Sequence, residues 1–540
     1  MPKKTEHQSK FIFVTGGVCS GLGKGLSSAS IGAILKSAGF KVFTLKLDPY
    51  LNLDPGTMSP YQHGEVYVTD DGTETDLDIG HYERFIDENL TELSNLTTGQ
   101  VYQQVLKKER AGEFLGKTIQ IVPHITDAIK DYIYQAAEKS QADFLLIEIG
   151  GTVGDIEGEP FLEAIRQIRI ERGESQTMYV HVTLLPYISA SKELKTKPTQ
   201  LSVKELLRRG VTPDIILARS DYKIDKSSLE KIAHFCNVAT DAVIPAPTVQ
   251  TIYSVPVNFE EAGISKIIFR HFEIKNKKPD LGEWKKLLTK IKKSTKKVQI
   301  GLVGKYTENN DAYLSVTEAL KSACYENNVK LDLVWIDAVK LEKKDKKEIT
   351  KFKSLNGIVV PGGFGSRGIE GKIYAAKYCR ENKVPYLGLC LGSQIMAIEF
   401  ARNVAGIAGA TSEEFDSKAK HQIVHFLPGQ SENRAKGGTL RLGAYPCVIK
   451  EGTVAYRAYK TKKISERHRH RYEFNNSYRK DLEKAGLVIS GDSPKHNLME
   501  IVEIKNHPFM LGSQFHPEFK SRPLRPHPLF REFIKASLKK

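Results

Sequence analysis

A single cysteine stands between two glycines in Pro385-Tyr386-Leu387-Gly388-Leu389-Cys390-Leu391-Gly392. The apolar run before it reads as a strand, and Ser393-Gln394-Ile395-Met396-Ala397-Ile398-Glu399 after it reads as a helix. A nucleophile on so sharp a strand-to-helix turn is lifted clear of the sheet, and flanking glycines permit the strained backbone. The helix N-terminus below it favours the thiolate, the reactive form of cysteine. Far downstream, Gln514-Phe515-His516-Pro517-Glu518 supplies a base and a carboxylate to orient it. Cys390, His516 and Glu518 together fit acyl transfer. The turn Val360-Pro361-Gly362-Gly363-Phe364-Gly365 offers backbone N–H groups to an oxyanion. A lone cysteine is more often a small buried apolar residue. The glycines, the His-x-Glu spacing and the Gly-rich turn favour chemistry here.

A second chemical segment lies near the other end. Gly16-Gly17-Val18-Cys19-Ser20-Gly21-Leu22-Gly23-Lys24-Gly25 follows the apolar run Phe11-Ile12-Phe13-Val14 and precedes a helical stretch, Leu26 to Ala38. Its glycines let backbone N–H groups close around phosphates, and Lys24 reaches the outer ones. The pattern GxxxxGK[ST] fails twice: Val18 holds the first Gly position, and Gly25 replaces the hydroxyl residue that touches magnesium. Magnesium then needs ligands elsewhere. Glu148 ends an apolar strand, and Asp78 lies in the acidic segment Glu74-Thr75-Asp76-Leu77-Asp78-Ile79-Gly80. One or two carboxylates plus phosphate oxygens suit Mg²⁺, although an acidic loop is by default a solvated one.

These residues need a scaffold. Val42 to Leu47, Phe144 to Ile149 and Ile215 to Ala218 are further buried-strand runs alternating with helical stretches. The pattern restarts at Val298-Gln299-Ile300-Gly301-Leu302-Val303, Leu331 to Trp335 and Gly357 to Val360. The fold class expected is α/β: a parallel-sheet, P-loop-like synthetase domain followed by a second α/β domain. We place the first domain at residues 1–274, a lysine-rich linker at 275–297 and the second domain at 298–540. At 540 residues the chain is too long for one core. No apolar run reaches the length of a membrane span, and Met1 to Lys10 lacks an apolar signal core. The six cysteines are scattered without CxxC or zinc spacing, which fits reduced thiols and a cytoplasmic location. The net charge of +16 points to nucleic acid or anionic small molecules. Ten lysines between Lys275 and Lys297, against Asp280 and Glu283, supply +8 of it. No aromatic interleaving or DNA-binding motif accompanies them, so nucleotide substrates are favoured over nucleic acid.

The Cys390, His516 and Gly362-Gly363 segments resemble the class I glutamine amidotransferases, over about the last 240 residues. The resemblance implies that Cys390 attacks the side-chain amide of glutamine, that His516 shuttles protons and that Glu518 orients His516. Ammonia and glutamate are the implied products. Gly363, Phe364, Leu391, Gln394, Glu414 and Arg471 match the glutamine pocket.

An ordered set of longer blocks resembles the CTP synthase family across nearly the whole chain. They include Lys46-Leu47-Asp48-Pro49-Tyr50, Asp54 to Pro60, His63-Gly64-Glu65-Val66, Glu148 to Glu157, Lys195-Thr196-Lys197-Pro198-Thr199-Gln200, Gly437 to Gly443 and Glu466 to Tyr472. The resemblance implies conversion of UTP, ATP and glutamine to CTP, with the uracil 4-oxygen phosphorylated and then displaced by ammonia. By matching position, Ser20, Gly21, Leu22, Gly23, Lys24, Gly25, Lys46 and Asp78 hold ATP, and Asp78 and Glu148 bind Mg²⁺. Ser20, Lys195, Thr196, Lys197, Pro198, Thr199, Gln200 and Lys231 match the UTP positions. Asp155, Ile156 and Glu157 match those that recognise the cytosine of product CTP. His63 matches the gate of an internal ammonia passage. GTP as activator, CTP as inhibitor, a homotetramer, and no nucleic-acid or membrane partner are likewise implied.

Two alternatives stay open. One is a related ATP-dependent amidoligase acting on another acid or oxo substrate, which the Lys195–Gln200 and Asp155–Glu157 blocks disfavour. The other is a catalytically silent assembly protein, which the intact Cys390, His516, Glu518, Lys24, Asp78 and Glu148 set disfavours. The lysine-rich stretches 275–297 and 340–353 match no family block.

Overall fold

The computed structural model describes residues 9–427, 439–495 and 497–539. The chain forms two compact units, one of residues 1–54 and 78–288, the other of residues 55–77 and 289–540.

The first unit is built on strands β1 (Lys10–Gly16), β2 (Val42–Asp48), β3 (Asn95–Thr97), β4 (Phe144–Ile149), β5 (Thr177–Leu184), β6 (Ile215–Ser220) and β7 (Val243–Pro247). They form one seven-stranded sheet in the order β7-β6-β5-β1-β4-β2-β3, with every pairing parallel. β1 and β4 are apolar runs buried almost throughout, as strands covered by helices on both faces must be. Full burial of a side chain such as Ile147 contributes roughly 1.5–3 kcal/mol. The helices used below are α1 (Lys24–Ser37), α2 (Leu77–Ile86), α3 (Lys197–Arg208) and α4 (Gly282–Lys293).

The second unit holds β8 (Lys297–Gly304), β9 (Lys330–Asp337), β10 (Gly357–Val360), β11 (Tyr386–Leu389), β12 (Arg441–Ile449), β13 (Lys463–His470), β14 (Leu487–Asp492), β15 (Met499–Ile504) and β16 (Met510–Ser513). Their order is β9-β8-β10-β11-β16-β15-β14-β12-β13, parallel through the first five strands and antiparallel thereafter. Helix α5 (Leu391–Asn403) follows β11 and is buried along nearly its whole length. The α/β class expected from the sequence holds in both units.

The division departs from the sequence reading in two places. The stretch 275–297 is half helix: α4 buries Trp284 and Leu287 beneath its lysines. Trp284 packs on Phe85 at 5.1 Å between ring centroids, a contact type worth about 0.5–1.5 kcal/mol beyond area burial. The start of α4 therefore belongs to the first unit, and lysine content conceals its apolar stripe in the sequence. Residues 55–77 group with the second unit because their polar side chains are spoken for there. Arg467 Nε donates to Asp70 Oδ1 at 2.5 Å, Arg469 Nε to Glu74 Oε1 at 2.8 Å, and Ser315 N to Glu65 Oε2 at 2.9 Å.

Candidate active sites

Cys390 sits between β11 and α5 with φ 49° and ψ −101°, a left-handed conformation that non-glycine residues avoid. Its own N–H donates to Ser513 O at 2.7 Å, which ties the turn to the neighbouring strand β16. Gln514 Nε2 lies 3.7 Å from the sulfur. His516 follows β16 and is nearly buried; its Nδ1 is 2.6 Å from Glu518 Oε1. Burial opposes a charge on His516, but Glu518 and Cys390 outweigh it and push the imidazole up to about 10. An imidazolium beside the sulfur supports a thiolate. The side chain of Glu518 is almost wholly buried, so the pair is shielded from solvent.

The residues expected to bind glutamine lie on the elements around this turn. Gly363 and Phe364 follow β10, and Leu391 and Gln394 form the first turn of α5. Gln394 Nε2 donates to Tyr472 O at 3.0 Å and to Gln514 Oε1 at 3.2 Å. Glu414 accepts from Gly365 N at 2.6 Å, so that N–H serves Glu414. Burial raises the Glu414 carboxyl against the pull of that N–H, Lys305, Lys372 and Arg471. Arg471 donates to Thr439 Oγ1 at 3.1 Å. A cavity of about 260 Å³ reaches His516 and Glu518 and is lined also by Pro361, Gly363, Phe364 and residues of the 55–77 segment. His63 ends the short helix Pro60–His63, is half-buried and does not line that cavity. Gly437 and Gly438 of the Gly437–Gly443 block lie outside the described residues.

Sequence reasoning misses Lys372. Its side chain is fully buried, with Nζ 3.5 Å from Pro361 O, and burial together with Lys305 pushes it down to about 7. A lysine inside an amphipathic helical stretch carries no sequence signal that separates it from a surface one.

In the first unit, the loop between β1 and α1 is exposed from Val18 to Gly21. Lys24 Nζ donates to Gly151 O at 2.7 Å. Lys46 on β2 is ion-paired with Asp78 in the first turn of α2 and lies 3.7 Å from Asp48. Burial works against the Asp78 charge, yet Lys46 and His81 hold the carboxyl below its usual range. Glu148, on β4, accepts from the Tyr82 hydroxyl. Burial and then the Asp78 charge push Glu148 up to about 7. Lys24 is lowered by burial, with Lys46 adding to it and Glu148 opposing. Ser20, Gly21, Leu22, Gly23 and Gly25 thus frame a loop above two lysines and two carboxylates. Among the described residues no cluster of three or more His, Cys, Asp or Glu side chains is arranged to hold a metal.

Gly25 explains the missing Ser/Thr. A Cβ at this position would come within 2.6 Å of Asp78 Cγ. The Asp78 carboxylate occupies the space that a hydroxyl side chain would need. Beside the loop, a cleft of about 200 Å³ is lined by Gly21, Leu22, Gly23, Arg219, Pro247 and Phe259, the last three unseen in the sequence.

A larger cleft of about 940 Å³ brings together Lys195, Thr196, Lys197, Gln200 and Lys231, with Lys192 and Lys223. Five lysines against Glu193 and Asp225 make it strongly cationic. Pro198 opens α3 at its first turn. Thr199 departs from the expectation: it is buried, and its hydroxyl donates to Leu184 O at 3.0 Å, inside the fold. Asp155, Ile156 and Glu157 do not line the cleft either; they are exposed on the loop after β4, with Asp155 accepting from Thr152 N at 3.1 Å. No helix among the described residues is long and apolar enough to cross a membrane.

Comparison with known proteins places the chain in a family. The family model "CTP synthase N-terminus" matches residues 10–274, and "Glutamine amidotransferase class-I" matches residues 309–536. A CTP synthase of Bacillus velezensis is 54% identical over 530 residues, covering 98% of this chain and 99% of the relative. One from Carboxydothermus hydrogenoformans is 56% identical over 532 residues, covering 98% and 99%. The solved glutaminase domain of Trypanosoma brucei CTPS with bound acivicin is 39% identical, covers 45% of this chain and 94% of its own, and has a TM-score of 0.43. With relatives matched end to end at more than half of all positions, the chain belongs to the CTP synthase family.

Proposed function

We propose that the chain is a glutamine-hydrolysing ligase that aminates UTP to CTP at the expense of ATP. The observation that carries this reading is the coexistence, in one chain, of a strained Cys390 beside the His516–Glu518 pair and a glycine loop above Lys24, Lys46, Asp78 and Glu148.

In the second unit the Cys390 thiolate attacks the glutamine side-chain carbonyl. His516, held as imidazolium by Glu518, gives its proton to the departing nitrogen, and ammonia leaves. Water, deprotonated by His516, then cleaves the thioester to glutamate and the free thiolate. Arg471 and Glu414 are the partners for the substrate's carboxylate and ammonium, and Gln394, Leu391, Gly363 and Phe364 shape the pocket.

In the first unit the bond between the γ-phosphorus of ATP and its bridging oxygen breaks while the uracil ring gives up its N3 proton and its 4-oxygen gains the phosphoryl group. Ammonia adds at C4, a proton is lost, the C4–O bond breaks, and phosphate leaves. Lys24 and Lys46 offset charge on the moving phosphoryl group, and the loop N–H groups hold the neighbouring phosphates. The cleft flanked by Arg219 and Phe259 suits the base of ATP. The Lys195–Lys231 cleft suits the triphosphate of UTP, and Asp155 and Glu157 suit the 4-amino group of CTP. Asp78 and Glu148 would hold Mg²⁺: burial and then the neighbouring Asp78 charge raise Glu148 to about 7, and a cation between the two carboxylates would relieve that cost. Held there, the ion would supply positive charge to the phosphate oxygens of ATP. GTP activation, ammonia gating at His63 and a homotetramer belong to the same reading through the family. The exposure of Ile156, 80%, fits a segment that a neighbouring subunit covers.

The test is incubation with UTP, ATP, Mg²⁺ and glutamine, with CTP followed chromatographically. CTP formation that also proceeds with ammonium in place of glutamine supports the reading; none from either nitrogen source refutes it.

A further inference from the structure

Behind the phosphate loop lies a buried histidine that the chemistry above does not use. His181 is on β5, directly opposite Thr15 of β1 in the parallel register, and its side chain is fully buried. Nδ1 is 2.9 Å from Thr15 Oγ1, and Nε2 is 2.8 Å from Ser202 Oγ. Both partners are buried as well. Thr15 immediately precedes the glycine turn of the loop. Ser202 sits in α3, five residues beyond Lys197 and two beyond Gln200 of the cationic cleft. One imidazole thus spans the element that leads to ATP and the element that carries the UTP residues.

The ring suits this task chemically. A neutral imidazole has one donor and one acceptor, and a hydroxyl serves either role. Both nitrogens are therefore satisfied in either tautomer, provided the ring stays neutral. Burial, with Lys24 nearby, pushes His181 down to about 3, so neutrality is secure. The contact is also close-packed. A Cβ on Gly17 would overlap the Ser202 hydroxyl, would lie 3.0 Å from Ser202 Cβ and 3.2 Å from His181 Nε2. The loop backbone rests directly on the His181–Ser202 pair, and Gly17 N donates to Val182 O at 3.0 Å on the same strand. A shift of α3 of even a fraction of an ångström must be felt at Gly17, because packed interiors transmit displacement rather than absorb it.

We propose that His181 is a positioning residue that couples the two nucleotide sites: through Thr15 and Ser202 it holds the phosphate loop and α3 in one register, so that occupation of either site pre-forms the other. The inference rests on the assignment of ATP to the loop and UTP to the cleft.

The experiment measures CTP formation with ammonium as nitrogen source. The KM for ATP is determined at low and at saturating UTP, for wild type, Thr15→Val, Thr15→Ser and Ser202→Ala. Each variant except Thr15→Ser removes one end of the bridge and leaves the histidine in place, which avoids the collapse that His181→Leu risks. Wild type should show a lower KM for ATP at saturating UTP. Thr15→Val and Ser202→Ala should lose that dependence, with KM at saturating UTP raised about fivefold, the scale of one net hydrogen bond, and kcat little changed. Thr15→Ser, which keeps the hydroxyl, should behave as wild type. Glutamine hydrolysis should be unaltered in all four. A purely structural role would lower the melting temperature while leaving the UTP dependence intact, and that result overturns the proposal. So does a wild type whose KM for ATP ignores UTP. A wild type that makes no CTP at all overturns the assignment beneath it instead.

Discussion

Restoring the hydroxyl that a phosphate loop normally carries after its lysine should destroy this enzyme rather than improve it. Gly25→Ser places a Cβ within 2.6 Å of Asp78 Cγ and 3.2 Å of Asp78 Cβ, in the first turn of another helix. One of the two must move. Gly25 is buried near the start of α1, and α1 is anchored by a stripe of buried residues, so the Asp78 side chain is the softer partner. Displacing it breaks the ion pair with Lys46, whose side chain is nearly buried. Overpacking costs about 1–3 kcal/mol, and losing a hydrogen bond to a charged group about 1.5–3 kcal/mol. The sum, about 2.5–6 kcal/mol, corresponds to roughly 10²- to 10⁴-fold in kcat/KM if it falls on the transition state. The assay is CTP formation from UTP and ATP with ammonium, alongside glutamine hydrolysis as a check on the second unit. Gly25→Ala is the companion variant, because it has the Cβ without the hydroxyl. Both should fail in CTP synthesis and keep glutamine hydrolysis. If Gly25→Ser is active where Gly25→Ala is not, the hydroxyl has taken up the usual magnesium role. If both are active, the Asp78–Lys46 pair is not what limits the site; either result refutes the reasoning.

Cys390→Ala should abolish glutamine-dependent CTP formation and leave ammonium-dependent formation largely intact, since the thiolate acts only in releasing ammonia; loss of both in a folded variant would sink the assignment of two sites. Glu148→Gln and Asp78→Asn should each remove synthesis from either nitrogen source while glutamine hydrolysis survives, and near-normal synthesis would exclude that residue as a ligand of Mg²⁺. His516, raised to about 10, keeps its proton as pH climbs from its ordinary value of 6.5 towards 10 and loses it only above that. Glu518→Gln removes a charged hydrogen bond, so the alkaline limb of the glutaminase profile should move acidward by roughly one to two units, and an unmoved limb would show that Glu518 does not hold the imidazolium. Glu157→Gln should weaken CTP inhibition by about 1.5–3 kcal/mol while raising the UTP requirement less, because the acid accepts from the 4-amino group that only CTP has; paired titrations with CTP and UTP that change equally would remove Glu157 from the cytosine site.

The parts of these sites that the sequence discloses are the local ones. Cys390 and its turn are readable because strand, glycines and helix are contiguous, and Lys24 is readable for the same reason. The grouping of residues 55–77 is not readable, because it depends on Asp70 and Glu74 meeting Arg467 and Arg469 nearly four hundred residues away. Thr199 illustrates a finer limit. The block from Lys195 to Gln200 reads as one recognition element, but α3 begins within it, and helical periodicity turns Thr199 to the interior while Lys197 stays at the cleft. His181 is invisible in the sequence because an apolar strand can carry one histidine for packing alone. Only the two hydroxyls at its nitrogens give it a task, and they come from different elements.

The two units use the same device, a parallel strand ending in a tight turn before a helix, and they differ in the width of that turn. In the second unit the strand ends at Leu389 and the helix starts at Leu391, so one residue carries the whole reversal. Cys390 accordingly takes φ 49°, at a cost of order 1–3 kcal/mol. A single raised atom is what a nucleophile requires. In the first unit, seven residues separate Gly16 from Lys24, and the reversal is shared among Val18, Gly21 and Gly23, with φ of 80°, 74° and 84°. A wider turn presents several N–H groups, which is what a polyphosphate requires. Val18 is the exception: a β-branched residue in the left-handed region, at the position the usual phosphate loop gives to glycine. The strain there is tolerable because its neighbours are fixed independently, Gly17 on β5 and the Gly16 carbonyl by the Val153 N–H at 2.8 Å. The loop's geometry is thus imposed by the strands around it rather than by its own glycines, which is why the pattern can fail twice at the level of residues and still bring Lys24 to the carboxylates.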